Sequence, residues 1–141
     1  MPASDALEPM RFSTLFCVRI TAKPAAIDAV TWPAHSIMVR VAPDDALVID
    51  ATVDDAAPVA THDPYAIIEP EAMFRGAWLD DAQLEALTHK LEWPLPAERP
   101  ALAQGMVYGL AIKLVLETDR TLLIVSGSAF HEVADRLGAV A

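Results

Sequence analysis

The feature that most constrains the fold is an alternation of large apolar residues with smaller or polar ones near the C-terminus. It runs through "GMVYGLAIKLVLE" (105–117), where one set of alternate positions holds Met106, Tyr108, Leu110, Ile112, Leu114 and Leu116. Because successive side chains of a strand point to opposite faces, this pattern predicts one long strand with a single core face. The turn "TDR" (118–120) and the apolar run "TLLIVSG" (121–127) predict an antiparallel partner that follows it.

The rest of the chain predicts alternating strands and helices. We expect strands at 12–22 and 65–79, the latter interrupted at Pro70, and a β-hairpin over 36–50 that turns at Pro43-Asp44-Asp45. Helices are predicted at 23–30, 80–93 and 128–138, and residues 51–64 are predicted to be a loop. From residue 65 the order is β-α-β-β-α, which indicates an α+β fold with helices on one face of an antiparallel sheet.

Capping residues mark the ends of the last two predicted helices. Asp80 followed by Gln83 fits a capping box, Pro94 should end that helix, and Ser128 and Gly138 fit the two ends of the last helix. The first residues, 1–11, read as a loose tail, so we expect one α+β domain over 12–141.

Composition excludes several classes of function. The formal net charge of −10 disfavours nucleic acid and anionic membrane surfaces, since both attract basic faces. Although 54% of residues are hydrophobic, no apolar run is long enough for a bilayer, and the first residues do not resemble a signal peptide. We therefore expect an acidic, cytoplasmic protein without nucleic-acid or membrane partners. Cys17 is the single cysteine and is expected to be buried.

No motif in the sequence indicates catalysis. There is no glycine-rich phosphate loop, and the four histidines do not pair at metal-ligand spacing. The stretch "SGSAFHE" (126–132) has Phe130 where a nucleophile elbow needs glycine. Glu69 and Glu71 would need burial to act as an acid–base pair. The stretch "THD" (61–63) is interpreted as a polar loop rather than as a metal site. We expect no catalytic, cofactor-binding or metal-binding residues and no cofactor.

One proline-framed stretch, "LEWPLPAERPALAQG" (91–105), is either a stiff connector or a docking segment. Prolines reduce the entropy lost on binding, and Trp and Arg are enriched in interfaces. The candidate contact residues are Trp93, Pro94, Leu95, Pro96, Arg99 and Pro100.

The C-terminal half resembles the gamma subunit family of sarcosine oxidase, within the glycine-cleavage T-protein-like folate-binding domains. The family's "PLDLHP…FPPG…AQ" segment is similar to this chain at Pro94-Leu95 and at Ala103-Gln104. Its "LLAGVPVLL" segment is similar to "VYGLAIKL", which contains Gly109, and its "S[FY]…L" segment is similar to Ser128-Ala129-Phe130. Its "LGPDEWLLL" hairpin is similar to "VRVAPDDALVI" (39–49), with Pro43 and Asp44 aligned. Trp93 replaces the family's usual cysteine, Pro96 its aspartate and Ala46 its tryptophan.

The resemblance implies a T-protein- or ferredoxin-like fold and a non-catalytic accessory subunit that binds a partner flavoprotein or other oxidoreductase. It also makes residues 93–100 a candidate for the contact with that partner. Two alternatives stay open: a standalone binder of a folate-like small molecule, and a self-associating homodimer. In the second, the apolar strand at 106–116 would pair across a two-fold axis.

Overall fold

A computed structural model of the chain describes residues 9–137, which fall into two compact units. The N-terminal unit is Leu15–Ala72, and the C-terminal unit combines, within the described range, residues 9–14 with residues 73–137. In chain order the elements are β1 (Ser13–Thr21), α1 (Pro24–Asp28), β2 (Ile37–Ala42), β3 (Asp45–Ile49), α2 (Val53–Ala56), α3 (Val59–His62), β4 (Ile67–Leu79), α4 (Asp81–Thr88), β5 (Ala101–Val107), β6 (Leu110–Leu116), β7 (Thr121–Ser126) and α5 (Phe130–Leu137). Within both units the paired strands are antiparallel, which confirms the predicted α+β class.

The N-terminal unit places three short helices against one face of its strands. Its strands run in the order β2-β3-β1, and Ile49 of β3 pairs with Cys17 on one side and Ile37 on the other. Strand residues Val18, Ile20, Ala46 and Val48 form a core with Ala26, Ile27, Ala56 and Val59 of the helices. The predicted hairpin is confirmed, and its turn at Pro43 is held by the Arg40 guanidinium, which donates to the Pro43 carbonyl at 2.7 Å.

The predicted loop at 51–64 is wrong, because this stretch forms the short helices α2 and α3. Thr52 and Asp55 build a capping box, in which each side chain accepts a hydrogen bond from the other residue's backbone N–H at 2.8–3.1 Å. Acidic residues in a first helical turn also interact favourably with the helix dipole. The small, acidic composition that suggested a loop is therefore that of a capped helix.

The C-terminal unit repeats the one-sided arrangement with longer strands. Its strands run in the order β4-β7-β6-β5. One face of these strands packs against Leu87 of α4 and against Phe130 and Val133 of α5. The strand residues in this core are Ala77, Leu79, Ala103, Val107, Ile112, Leu114, Leu116, Leu123 and Val125. Phe12 joins this core through an edge-to-face contact with Phe130, with the ring centroids 5.3 Å apart.

The single long strand predicted at 105–117 is wrong, because the chain reverses at Tyr108 and Gly109. Both residues have positive φ, 51° and 77°, as a type I′ hairpin turn requires. Val107 pairs with Leu110, so the core-facing set changes from odd positions in β5 to even positions in β6. Val107 is accordingly buried while Met106 is 53% exposed, the reverse of the predicted assignment.

Three element boundaries differ from prediction. Pro70 lies inside the uninterrupted 13-residue strand β4, where it is exposed and removes only its own N–H from the ladder. Helix α4 ends at Thr88, before Pro94, although its predicted capping box of Asp80 and Gln83 is confirmed. Helix α5 begins at Phe130 rather than Ser128, and the Ser126 hydroxyl accepts from the Ala129 N–H at 3.2 Å. Gly138 lies outside the described residues.

Within the described range 9–137, no helix is long and apolar enough to cross a membrane.

Candidate partner-binding surface

The connection between α4 and β5 contains two half-buried residues among exposed ones. Trp93 and Leu95 are half-buried and pack on the core of the C-terminal unit. Pro94, Pro96, Arg99 and Pro100 are exposed. The segment is therefore fixed to the domain by two apolar side chains, and the residues between and after them face solvent.

Trp93 is held by a specific contact with the edge strand of its unit. Its indole N–H donates to the Met106 carbonyl at 2.8 Å. Val107 and Leu110 are the pair that closes the hairpin, so the backbone N–H and C=O of Met106 point away from β6. The indole therefore bonds to the outer edge of β5, where a further strand would otherwise pair. The ring also lies against Gly105, where an added Cβ would come within 2.4 Å of Trp93 Cε2. Trp93 is thus a structural residue as well as a candidate contact.

Arg99 shapes the exposed part of the segment. Its Nη1 donates to the carbonyls of Pro96 at 2.6 Å and Glu98 at 3.0 Å, and the Arg99–Pro100 peptide bond is cis. The two hydrogen bonds tie the exposed Arg99 side chain to the backbone of the loop at residues 96–100. A planar guanidinium suits bidentate recognition of a carboxylate or stacking on an aromatic ring.

A polar depression adjoins the end of this loop. It encloses about 500 Å³ and is lined by Pro100, Glu117, Thr118, Asp119 and Arg120. Glu117 accepts from Arg120 Nε at 2.6 Å, and the Arg120 guanidinium lies 3.8 Å from the centre of the Trp78 ring.

Sequence reasoning did not include Arg120 in the surface, because only the fold brings the "TDR" turn beside strand β4. Trp78 of β4 is 42% exposed and lies under this arginine. The exposed loop 96–100, the depression and the Arg120–Trp78 stack together form the candidate partner surface.

The residues that carried the family resemblance occupy structural positions. Pro43 and Asp44 form the turn between β2 and β3, and the Asp44 carbonyl accepts from the Ala22 N–H at 3.1 Å. Ala103 is buried in β5, Gln104 is exposed on the same strand, and Gly109 is in the β5–β6 turn. Ser128 precedes α5, and Phe130, its first residue, is buried in the core. These residues do not converge on one site.

The histidine and the carboxylate of "THD" lie in different environments. The buried Asp63 carboxylate accepts from the backbone N–H groups of Lys23 at 2.8 Å and Tyr65 at 3.0 Å, and these bonds lower its pKa. His62 is exposed at the end of α3. Asp63 therefore fastens the start of α1 to the end of α3. Across residues 9–137, no three His, Cys, Asp or Glu side chains are grouped to hold a metal ion.

Cys17 is buried, as expected. Burial, followed by the nearby carboxylates of Glu71 and Asp50, raises the pKa of its thiol to about 12. A thiol in this environment is a poor nucleophile, since the thiolate is the reactive form.

Comparison with known proteins supports the fold and leaves the family open. No family profile matches the sequence, and no curated protein matches it. A chain of the heterotetrameric sarcosine oxidase from Corynebacterium sp. U-96, in complex with pyrrole 2-carboxylate, superposes with a TM-score of 0.70 over 91% of this chain and 80% of that one. The sequence identity is 12%, so the likeness is one of fold. An aspartate kinase from Clostridium acetobutylicum gives a TM-score of 0.41 at 10% identity over 96% of this chain and 36% of the kinase, too low to carry an argument.

Proposed function

We propose that this protein is an accessory subunit that binds a partner oxidoreductase, in the manner that the resemblance to the sarcosine oxidase gamma subunit implies. In this role the chain contributes a binding surface and no catalytic group, and it works in the cytoplasm. The expected partner is a flavoprotein.

The observation that carries the proposal is the likeness to a chain of a heterotetrameric oxidase. It extends over 91% of this chain and 80% of the other, so it involves both compact units rather than one common motif. The sequence resemblance over residues 93–137 points to the same oxidase. Two lines of argument, one from side chains and one from backbone geometry, therefore agree.

The proposed contact surface is the one that contains residues 93–100. Its exposed residues Pro94, Pro96, Arg99 and Pro100 are held in place by Trp93 and Leu95, so little conformational entropy remains to be lost on binding. Arg99 and the Arg120–Trp78 pair supply the residue types that dominate interface energies.

The direct test is capture of the tagged full chain from native lysate of its own source at low salt, followed by measurement of stoichiometry, flavin absorbance and oxidase activity of the captured assembly. We expect one flavoprotein in fixed ratio, carrying the flavin and the activity. A chain that is recovered alone, or with partners that vary between preparations, would contradict the proposal.

The surface is tested on that same assembly with Arg99→Ala, whose exposed side chain donates to the nearby carbonyls of Pro96 and Glu98. We expect this variant to weaken binding roughly tenfold, as truncation of an arginine hot spot does. Lys90→Ala, on an exposed side chain just before the segment, is the matched control for loss of a positive charge. Equal affinity of both variants and the unmodified chain would exclude the loop at residues 96–100 as the contact.

A further inference from the structure

The two compact units share one order of elements. In the N-terminal unit β1 and α1 are followed by the hairpin β2–β3 and by α2 and α3; in the C-terminal unit β4 and α4 are followed by the hairpin β6–β7 and by α5. In each unit the second strand of the hairpin lies between the other two, in the orders β1-β3-β2 and β4-β7-β6. Residues 15–72, all of which are described, contain no counterpart of β5. Strand β2 therefore corresponds to β6 without its outer neighbour.

A Trp-Pro pair shortly after the first helix of each unit supports this correspondence. Trp32-Pro33 follows α1 and Trp93-Pro94 follows α4, and both tryptophans pack partly buried on the core of their own unit. They differ in their hydrogen bonds. Trp93 donates to the Met106 carbonyl of β5, whereas the buried Nε1 of Trp32 has no acceptor within the part of the chain that the structure describes. The N-terminal unit thus lacks both the extra strand and the bond that accompanies it.

The backbone bonds of β3 show which groups of β2 face outward. The Asp50 N–H donates to the Phe16 carbonyl at 2.9 Å, and the Ala22 N–H donates to the Asp44 carbonyl at 3.1 Å. Both bonds continue the register of β1 with β3, so the even-numbered residues of β3 bond to β1. Because the bonding direction alternates along an antiparallel strand, the odd-numbered residues of β3 bond to β2.

The outer edge of β2 consequently presents the backbone groups of Met38 and Arg40. Ile37 and Val39 stand opposite the odd-numbered residues of β3 and use their N–H and C=O groups there. Met38 and Arg40 direct theirs to the other side, where no backbone group of residues 9–137 bonds to them. An edge of this kind is a template for pairing with another strand.

The charge of Arg40 does not guard this edge. Its guanidinium donates to the Asp28 carboxylate at 2.7 Å and to the Pro43 carbonyl at 2.7 Å, so it is turned towards α1 and the β2–β3 turn. The register shift between Arg40 and Ala42 ends the regular part of the ladder at Arg40. The regular edge is therefore short and spans residues 37–40.

We infer that the outer edge of β2 pairs with β2 of a second copy of this chain, across a two-fold axis at Val39. A two-fold axis perpendicular to the sheet makes the two copies of one strand antiparallel, which is also the sense in which β5 pairs with β6. Met38 of each copy then exchanges backbone hydrogen bonds with Arg40 of the other, and the two arginines do not stand directly opposite each other.

A second copy fits this edge because it supplies outward groups with the same spacing in the required direction. Strand β6 cannot serve in the same way, since it is paired on both sides by β5 and β7. An extended segment of a different protein is the competing occupant. The inference concerns the N-terminal unit and does not rest on the accessory-subunit proposal.

The test uses the unmodified, ¹⁵N-labelled full chain. Amide hydrogen exchange is measured by NMR in dilute and in concentrated protein, and sedimentation gives the mass in the same samples. In dilute protein the Val39 amide should be protected by its bond to β3, while the amides of Met38 and Arg40 exchange freely. We expect the protection of these two amides to rise about tenfold as the chain passes from monomer to dimer.

Proline substitution separates the edge from the side chain. Met38→Pro removes an outward N–H that the β2–β3 ladder does not use, so it should abolish the dimer while β2 stays in place. Met38→Ala loses the same side-chain packing but keeps the N–H, and should dimerise within about twofold of the unmodified chain. Leu102→Pro makes the same change on the outer edge of β5 and should leave the dimer intact.

Several results would overturn the inference. Exchange at Met38 and Arg40 that does not change with protein concentration would show that no second copy covers the edge, and this result does not depend on any variant folding. A dimer that persists in Met38→Pro, or that is lost in Leu102→Pro instead, would place the contact elsewhere. Protection of these two amides only in an assembly with a different protein would assign the edge to that protein.

Discussion

The indole N–H of Trp93 donates a hydrogen bond to the backbone carbonyl of Met106 at 2.8 Å, across 13 residues of sequence. This bond joins the irregular segment after α4 to the outer strand of the C-terminal unit. It satisfies a carbonyl that the β5–β6 hairpin leaves unpaired, and it seats the indole on Gly105. The conformation of the candidate partner segment therefore depends on one side chain.

Replacing Trp93 should destabilise the fold, apart from any effect on partner binding. We expect Trp93→Ala to lower the free energy of unfolding by about 2–4 kcal/mol, less than for a fully buried tryptophan, because the ring is half-buried. Trp93→Phe keeps a ring but loses the bond to Met106, for which about 1 kcal/mol is expected. Urea denaturation measures both, with the exposed Pro96→Ala as a control expected within about 0.5 kcal/mol of the unmodified chain. Equal stability of Trp93→Ala and Pro96→Ala would show that the indole has no structural role.

The same contact predicts a coupled pair at Gly105. An alanine Cβ would lie 2.4 Å from Trp93 Cε2, so the ring or strand β5 would have to move. We expect Gly105→Ala to cost about 1–3 kcal/mol with Trp93 present. In the Trp93→Ala background the cost should nearly vanish, which gives a coupling energy measurable by a double-mutant cycle. Additive effects of the two substitutions would mean that the indole is not what restricts Gly105.

The sequence could predict strand content here but not where the chain turns. The alternation of residue types continues through the two-residue hairpin. The positions that face the core nevertheless change at the turn, from odd numbers in β5 to even numbers in β6. Gly109 was the available signal, since its φ of 77° is ordinary only for glycine, but Tyr108 before it is not a typical turn residue. The assignment of the core face was therefore right for Ile112 and Leu114 and wrong for Met106.

The candidate site was less predictable than the fold. Turn chemistry and capping boxes act over three or four residues, which is why the Pro43 hairpin and the Asp80 cap could be recognised in the sequence. The Trp93–Met106 bond and the Arg120–Trp78 stack join residues that are 13 or more positions apart in irregular or reversing segments. The exposure of Phe16 left no sequence signal, because a phenylalanine within an apolar strand is expected to be a core residue.

Asp63 should make the stability of the chain sensitive to acid. Its carboxylate accepts two backbone N–H bonds in the folded state, so its pKa is lowered from the ordinary value of 3.8. A lowered folded-state pKa gives stability that is fully present above the ordinary value. That stability is lost as the pH falls through the ordinary value towards the folded-state pKa. Asp63→Asn cannot ionise and keeps one acceptor oxygen.

The measurement compares urea denaturation of the unmodified chain and Asp63→Asn at neutral pH and in the acid range. The unmodified chain should be more stable at neutral pH, and the difference between the two proteins should shrink as the pH falls below about 4. Asp54→Asn, which removes an exposed carboxylate of α2, is the matched control and should show a much smaller change. A difference between the chain and Asp63→Asn that stays constant across this range would contradict the role given to the carboxylate.

Cys17 should resist alkylation while the chain is folded. With a pKa of about 12, its thiol is ionised at pH 8 in roughly one molecule in ten thousand, against about a quarter for an ordinary cysteine. Burial also keeps the reagent out, so modification by iodoacetamide requires local or global opening. Intact-mass measurements should find native protein unmodified over a time in which the chain in urea reacts completely. Cys17→Ser with Ala60→Cys places a thiol on an exposed helix position of the same unit and should react readily without denaturant. Comparable rates for Cys17 and the introduced cysteine would mean that β1 around Cys17 opens readily in the folded chain.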